Sequence, residues 1–152
     1  PRSWRRCSTT SAVGHQSWPR PWRRTGSSSP DSRTGGLAAA ALAVTRPDLV
    51  GGAVAQSGSF WFRAGQEPSG PRELTEAGDL IRWLRKRSTN RSSRIAVQVG
   101  SEEGDMVTQA RWFTEAARGT GHRVHHREHR GGHDYAWWFP ALDEGLAALA
   151  TM

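Results

Sequence analysis

The chain has 152 residues, a length that allows one modest domain with its own core but not two. Its net charge of +7 is concentrated at one end: residues 1–34 contain seven Arg and one acidic residue, a net charge of +6, which leaves +1 for residues 35–152. The single cysteine excludes an internal disulfide, and no apolar run is long enough to span a membrane. We therefore expect a cytoplasmic protein without cofactor, metal, nucleic-acid or membrane partners.

The composition changes abruptly at Gly35. Residues 1–34 are rich in Ser, Arg, Trp and Pro and show neither a helical nor a strand period, so they cannot build a core. Residues 35–152 have the mixed, nearly neutral composition of a soluble enzyme. The sequence is thus divided into an irregular segment, 1–34, and a folded segment, 35–152.

Helices and strands alternate along the folded segment. The apolar periodicity predicts strands at 50–57, 95–99 and 124–129, and helices at 37–46, 73–87, 106–118 and 141–150. Strands that alternate with helices of this length are typical of βαβ units. The sequence therefore predicts an α/β fold with a mostly parallel sheet that is covered by helices on both faces.

A glycine-rich turn follows the third predicted strand, with the sequence Gly131-Gly132-His133-Asp134. Catalytic side chains of parallel α/β sheets stand on loops at the carboxyl ends of the strands. Two adjacent glycines allow a sharp turn there. His133 is therefore a candidate catalytic residue, with a solvated loop histidine as the alternative.

Two segments together carry a family resemblance. Ala55-Gln56-Ser57-Gly58-Ser59-Phe60-Trp61, followed about 70 residues later by Gly-Gly-His-Asp and nearby tryptophans, resembles the enterochelin esterases, or iron-siderophore esterases, over roughly residues 35–150. The resemblance implies the C-terminal half of an α/β-hydrolase fold. It also implies hydrolysis of ester bonds in a trilactone catecholate siderophore, with release of iron, and a role for His133 as the general base.

The acid of a catalytic triad is expected after the second predicted strand, because α/β-hydrolases present their residues in the order Ser, then Asp or Glu, then His. Glu102, Glu103 and Asp105 lie there. Such a carboxylate holds the tautomer of the histidine and stabilises the imidazolium. The resemblance favours Glu103, with Asp105 second; a solvated acidic loop is the alternative.

Ser57 lies at a strand end but lacks the Gly-x-Ser-x-Gly frame of a nucleophile elbow, so we predict a structural role for it. Aromatic residues around these motifs are candidates for a wall that binds catechol rings, with burial in the core as the alternative. They are Trp61, Phe62, Trp137 and Trp138.

Four histidines near the third predicted strand raise the question of a metal site. They are His122, His125, His126 and His129. Alternate residues of a strand share a face, so the four do not converge, and no cysteine or suitably spaced carboxylate completes the set. A solvated edge strand is the favoured interpretation.

The nucleophile itself is absent from its expected place. The resemblance puts a Gly-Gln-Ser-x-Gly-Gly elbow immediately before Leu37, with an oxyanion-hole N–H at the position of Thr34. This sequence has Arg33 where the serine should stand. A guanidinium cannot attack an ester. We therefore expect the chain as given to be inactive.

A shift of the reading frame would explain why the nucleophilic serine is missing. If Ser27, Ser28 and Ser29 use TCN codons, a shift by two bases turns them into codons that end in TC and encode apolar residues. With GC-preferring codons, Trp22 to Gly35 in that phase becomes a strand followed by Gly-Gln-Ser-His-Gly. We hypothesise that residues 1–34 are an out-of-frame translation; a genuine disordered basic tail is the alternative.

Two other functions stay open. A different α/β-hydrolase esterase or an acyltransferase would use the same residues on another ester. A non-catalytic module could instead use the Arg-rich segment to bind an anionic partner, with strong salt dependence.

Overall fold

The computed structural model describes residues 32–65, 75–87 and 92–152. Four helices and three strands alternate in this part of the chain: α1 (Ser32–Thr45), β1 (Gly52–Gln56), α2 (Asp79–Leu84), β2 (Arg94–Gly100), α3 (Asp105–Gly119), β3 (Arg123–His129) and α4 (Tyr135–Thr151). The strands form one parallel sheet in the order β1-β2-β3. The predicted α/β fold is confirmed.

One face of the sheet is covered by α1, α2 and α3. The apolar core between them includes Leu37, Ile81 and Phe113, all almost fully buried. Phe113 stacks on Phe60 with ring centroids 4.2 Å apart. Residues 95–100 of the central strand are buried throughout, as expected for a parallel strand with helices on both sides.

Helix α4 covers the opposite face and is held there by two glutamines. The side-chain amide of Gln98 donates to the carbonyl of Ala141 at 2.7 Å. That of Gln56 donates to Gln98 Oε1 at 3.0 Å and to the carbonyl of Trp138 at 2.7 Å. Both amides have partners, so they hold the first half of α4 against the sheet and the hydrogen bonds offset the cost of removing the amides from water.

Helix α4 begins six residues earlier than the predicted start at residue 141. The carboxylate of Asp134 caps it by accepting a hydrogen bond from the Ala136 N–H at 2.8 Å. Pro140 lies inside the helix. A proline this near the first turn removes one intrahelical hydrogen bond but does not prevent the cap from starting the helix.

Helix α2 is shorter than the predicted span 73–87, of which residues 73 and 74 lie outside the described residues. A side chain on Gly78 would collide with the carbonyl oxygen of Phe60, so the two backbones touch. The N–H of Asp79 donates to the carbonyl of Phe62 at 2.9 Å. Because these contacts with the loop hold the backbone in place up to Asp79, the helix begins only at that residue.

Helix α1 begins at Ser32, earlier than the predicted residue 37 and inside the segment predicted to be irregular. Residues 1–31 lie outside the described residues, so the prediction made for them stays a prediction.

Histidine 122, just before β3, is buried, which corrects the expectation that all four histidines near this strand are solvated. His122 is 5% exposed, and its Nδ1 accepts a hydrogen bond from the Ser93 N–H at 3.1 Å. Burial lowers its pKa from the ordinary 6.5, and desolvation is also the main cause of the lowered pKa of His126.

The unfolding free energy should therefore fall as the pH drops below about 6.5. A histidine with a lowered folded-state pKa contributes stability above its unfolded value and loses it as the pH falls through the folded value. The slope should approach at most about 1.4 kcal/mol per pH unit for each such histidine. Urea unfolding at several pH values measures it. His122→Asn, which keeps an acceptor for Ser93, should flatten the curve; an unchanged slope would contradict the assignment.

Candidate active site

The carboxyl ends of β2 and β3 lie side by side and carry the two loops that the sequence analysis singled out. The Ser101 N–H donates to the carbonyl of His129 at 2.7 Å, and the Glu102 N–H donates to that of Gly131 at 2.9 Å. These bonds extend the strand pairing into both loops. They bring the turn after β2 and the glycine-rich turn after β3 into one site.

His133 and Glu103 form a hydrogen-bonded pair in this site. Nδ1 of His133 lies 2.7 Å from Oε2 of Glu103. The Glu103 side chain is 1% exposed, whereas 29% of the His133 side chain is accessible. A carboxylate only accepts, so Nδ1 carries the proton and Nε2 of the neutral ring is left with a lone pair. This tautomer is the one that a general base requires.

The second oxygen of Glu103 has two other donors. Oε1 accepts the Gly100 N–H at 2.7 Å and the Ser57 hydroxyl at 2.6 Å. A Cβ on Gly100 would lie 2.5 Å from the carbonyl oxygen of Gly131 and 2.9 Å from Oε1, so only glycine fits there. The three hydrogen bonds give both oxygens of this buried carboxylate a donor.

Trp138, in the first turn of α4, connects the histidine to the end of β1. Its ring meets that of His133 edge to face, with centroids 4.7 Å apart. Its indole N–H donates to Ser57 Oγ at 2.8 Å. Ser57 is 1% exposed and has a φ of 45°, in the left-handed region. Its hydroxyl points at the acid and not at His133, in keeping with the predicted structural role.

The other predicted site residues take no part in the hydrogen-bonded pair of His133 and Glu103. Asp105 is the exposed first residue of α3. Trp137 is 6% exposed, stacks on His129 with centroids 5.0 Å apart and donates to the Gly132 carbonyl at 2.6 Å, so little of its ring is left for a ligand. Trp61 lies half-buried in the loop after β1, and its neighbour Phe62 is exposed.

Tyr135 is a candidate that the sequence analysis missed. It is 74% exposed, and its ring contacts that of Trp138 edge to face with centroids 4.9 Å apart. Its position two residues after His133 is the feature of the sequence that could have identified it. An exposed aromatic ring this near the histidine is suited to contact an aromatic ligand.

The N-terminal part of α1 approaches the same corner of the sheet at Gly36. A Cβ on Gly36 would collide with the carbonyl oxygen of Gln56 and would lie 3.0 Å from Cα of Gly58. The helix backbone therefore touches the residues on either side of Ser57. Arg33, which stands at the expected position of the nucleophile, lies one turn earlier in the same helix.

The histidines of β3 divide between the faces of the sheet. His126 lies 3.2 Å from the hydroxyl of Thr114 in α3, whereas His125 and His129 are within 4.0 Å of Glu144 in α4. Within the described ranges, no group of three His, Cys, Asp or Glu is arranged to hold a metal ion. The described helices also include none with the length and apolar character needed to cross a bilayer.

A parallel sheet with a histidine after one strand, paired to an acid after the preceding strand, is the arrangement of α/β-hydrolases. The chain belongs to the esterase family: residues 31–149 match the family model described as "Putative esterase". The resemblance to the enterochelin esterases is confirmed.

Two relatives and two solved structures show the extent of the likeness. The chain is 32% identical over 120 residues to the iron(III) enterobactin esterase of Dickeya dadantii, covering 77% of this chain and 28% of that protein. It is 30% identical over 118 residues to the iron(III) salmochelin esterase of Escherichia coli, covering 76% and 28%. The chain thus spans less than a third of the length of these relatives.

The enterobactin esterase of Shigella flexneri, crystallised in the presence of 2,3-di-hydroxy-N-benzoyl-serine, superposes with a TM-score of 0.63 at 25% identity, covering 77% of this chain and 29% of that one. A ferulic acid esterase superposes with a TM-score of 0.58 at 17% identity, covering 76% and 48%. The second likeness shows the fold alone.

Proposed function

We propose that residues 35–152 are the C-terminal half of a serine-type carboxylic ester hydrolase of the enterochelin esterase kind. His133 is its general base, and Glu103 orients that base. The observation that carries the proposal is the 2.7 Å pair between His133 Nδ1 and Glu103 Oε2, on a histidine ring that is accessible to solvent.

In the proposed reaction a serine hydroxyl attacks the ester carbonyl while its proton passes to Nε2 of His133. Backbone N–H groups, among them that of residue 34, stabilise the oxyanion. The C–O bond to the alcohol then breaks, and the alcohol leaves with the proton from the imidazolium. Water repeats both steps on the acyl-enzyme, releases the acid and regenerates the serine. Buried Glu103 stabilises the imidazolium throughout.

The proposed substrate is an ester of a catecholate siderophore, in its ferric form, so that hydrolysis releases iron inside the cell. The names of the two relatives support this substrate class. Trp61 and Tyr135 are the proposed ring contacts, because Trp137 is 6% exposed and already stacked on His129. A cytoplasmic location belongs to the same proposal, and the single cysteine is compatible with it.

The proposal extends to the sequence before Gly35. Arg33 replaces the nucleophile in the first turn of α1, and we attribute this to translation of residues 1–34 out of frame. The nucleotide sequence across Trp22 to Gly36 tests the attribution directly. It should encode Gly-x-Ser-x-Gly in the phase shifted by two bases, and a sequence without that elbow would oppose the attribution.

Expression of two proteins tests the activity. The first is the 152-residue chain. The second, which we call the restored esterase, has the shifted phase before Gly35 and the coding sequence upstream of it. The first should show no hydrolysis of a ferric catecholate siderophore ester above the uncatalysed rate, because it lacks the nucleophile, whereas the second should hydrolyse it, as measured by chromatography of the released acids.

Other outcomes favour the other functions. Hydrolysis of simple esters without that of the siderophore would indicate a different esterase, and transfer to an alcohol in place of water would indicate an acyltransferase. Salt-dependent nucleic-acid binding by the 152-residue chain, lost on deletion of residues 1–34, together with an inactive restored esterase, would indicate a binding module.

A further inference from the structure

The buried Glu103 carboxylate belongs to one continuous chain of hydrogen bonds with three other side chains. It runs from the Trp138 indole to Ser57 Oγ at 2.8 Å, from Ser57 Oγ to Glu103 Oε1 at 2.6 Å, and from Glu103 Oε2 to His133 Nδ1 at 2.7 Å. Trp138 also meets the His133 ring edge to face. Ser57 is thus linked to the histidine through the acid and through the tryptophan.

The chemistry of the groups fixes the direction of each proton. An indole N–H can only donate, so the Ser57 oxygen accepts from Trp138 and its own single proton is directed to Glu103. Oε1 then has two donors, the Ser57 hydroxyl and the Gly100 N–H. Oε2 is the oxygen left for His133.

The backbone around Ser57 holds its hydroxyl in place. The Ser57 N–H donates to the carbonyl of Gln98 at 2.8 Å, and the residue adopts a φ of 45°. Its neighbour Gln56 donates to the carbonyl of Trp138 at 2.7 Å, which brings the start of α4 to the same point. A residue held in the left-handed region at a candidate active site is a reason to look for a role in function.

We propose that Ser57 is a positioning residue: its hydroxyl fixes the rotation of the Glu103 carboxylate and thereby keeps His133 protonated on Nδ1. The effect of Ser57 on catalysis rests on the proposed function. Its effect on the tautomer of His133 does not depend on that function. Without the hydroxyl, Oε1 keeps one donor, the carboxylate can turn, and the Nδ1–H form of the ring loses part of its advantage over the Nε2–H form.

Nitrogen-15 NMR of the imidazole rings tests the proposal in the 152-residue chain at about pH 8, where an ordinary histidine is neutral. The spectrum of His133→Ala identifies the His133 signals. Ser57→Ala should shift the ratio of Nδ1–H to Nε2–H at His133 about tenfold toward Nε2–H, the effect of losing one hydrogen bond to a charged group. In the restored esterase the same variant should lower kcat about tenfold and leave KM unchanged.

Two control variants separate the hydroxyl from other effects. Ser57→Gly removes the hydroxyl and relaxes the left-handed backbone, so it should match Ser57→Ala. Ser93→Ala removes another buried hydroxyl, one bonded to the Ala43 carbonyl at 2.7 Å, and should leave the tautomer unchanged.

An unchanged ratio in Ser57→Ala, a wild-type ratio in Ser57→Gly, or an equal shift in Ser93→Ala would each overturn the proposal. An inactive restored esterase with the tautomer shift intact would instead count against the proposed function alone.

Discussion

Replacing His133 by alanine in the restored esterase should lower kcat/KM for the siderophore ester by about 10⁶-fold. The reason is that Nε2 of His133 is the only proposed acceptor for the proton of the attacking serine, and the same atom returns that proton to the leaving alcohol. Steady-state hydrolysis rates, with a detection limit set by the uncatalysed reaction, measure the loss.

A second histidine on the same sheet provides the matched control. The His125 side chain is 40% exposed and contacts Glu144 on α4, away from the pair of His133 and Glu103. His125→Ala should keep kcat/KM within about twofold, as surface substitutions usually have small effects. If His133→Ala left the rate of the restored esterase unchanged, His133 would have no part in the mechanism. If His125→Ala caused an equal loss, the effect of both variants would be on folding.

The fold could be predicted from the sequence wherever burial alone determined an element. Strand β2 is apolar from Ile95 to Val99 except for Gln98 because helices cover both of its faces, and its predicted bounds differ from the observed Arg94–Gly100 by one residue at each end. Helix α3 has its buried residues on one stripe, and its observed bounds, Asp105–Gly119, also extend the prediction by one residue at each end.

Bounds that depend on a long-range contact or on a helix cap could not be predicted from apolar periodicity. The start of α2 is set by the close approach of Gly78 to Phe60, and a local pattern contains no sign of it. The start of α4 depends on the cap by Asp134, which the apolar periodicity of residues 141–150 does not reveal. Both errors come from long-range or capping interactions that outweigh local propensity.

The pairing in the candidate site could be predicted from topology, because parallel strands carry their following loops to one edge of the sheet. The choice of Glu103 over Asp105 as the acid came from the resemblance, and it stays a prediction. Glu103 turns inward onto the Gly100 N–H, whereas Asp105 begins α3 and is exposed. The bond between Ser57 and Glu103 spans 46 residues and could not be predicted from spacing.

Replacing Glu103 by glutamine in the restored esterase should lower kcat by about 10⁴-fold with little change in the fold. The Ser57 hydroxyl and the Gly100 N–H both need an acceptor, so the amide oxygen of glutamine should face them. The amide NH₂ then faces Nδ1 of His133. Because that group only donates, Nδ1 must present its lone pair and the ring proton must move to Nε2.

That tautomer cannot accept the serine proton, and the imidazolium also loses its buried counter-charge. The measurement is kcat for the siderophore ester together with the nitrogen-15 spectrum of His133, which should show the Nε2–H form. Glu102→Gln and Asp105→Asn are the matched controls, because each removes an exposed carboxylate within two residues of Glu103. Both should keep wild-type kcat. If Asp105→Asn abolished hydrolysis while Glu103→Gln preserved it, the acid of the site would be Asp105, and the hydrogen bond between Glu103 and His133 would have no part in catalysis.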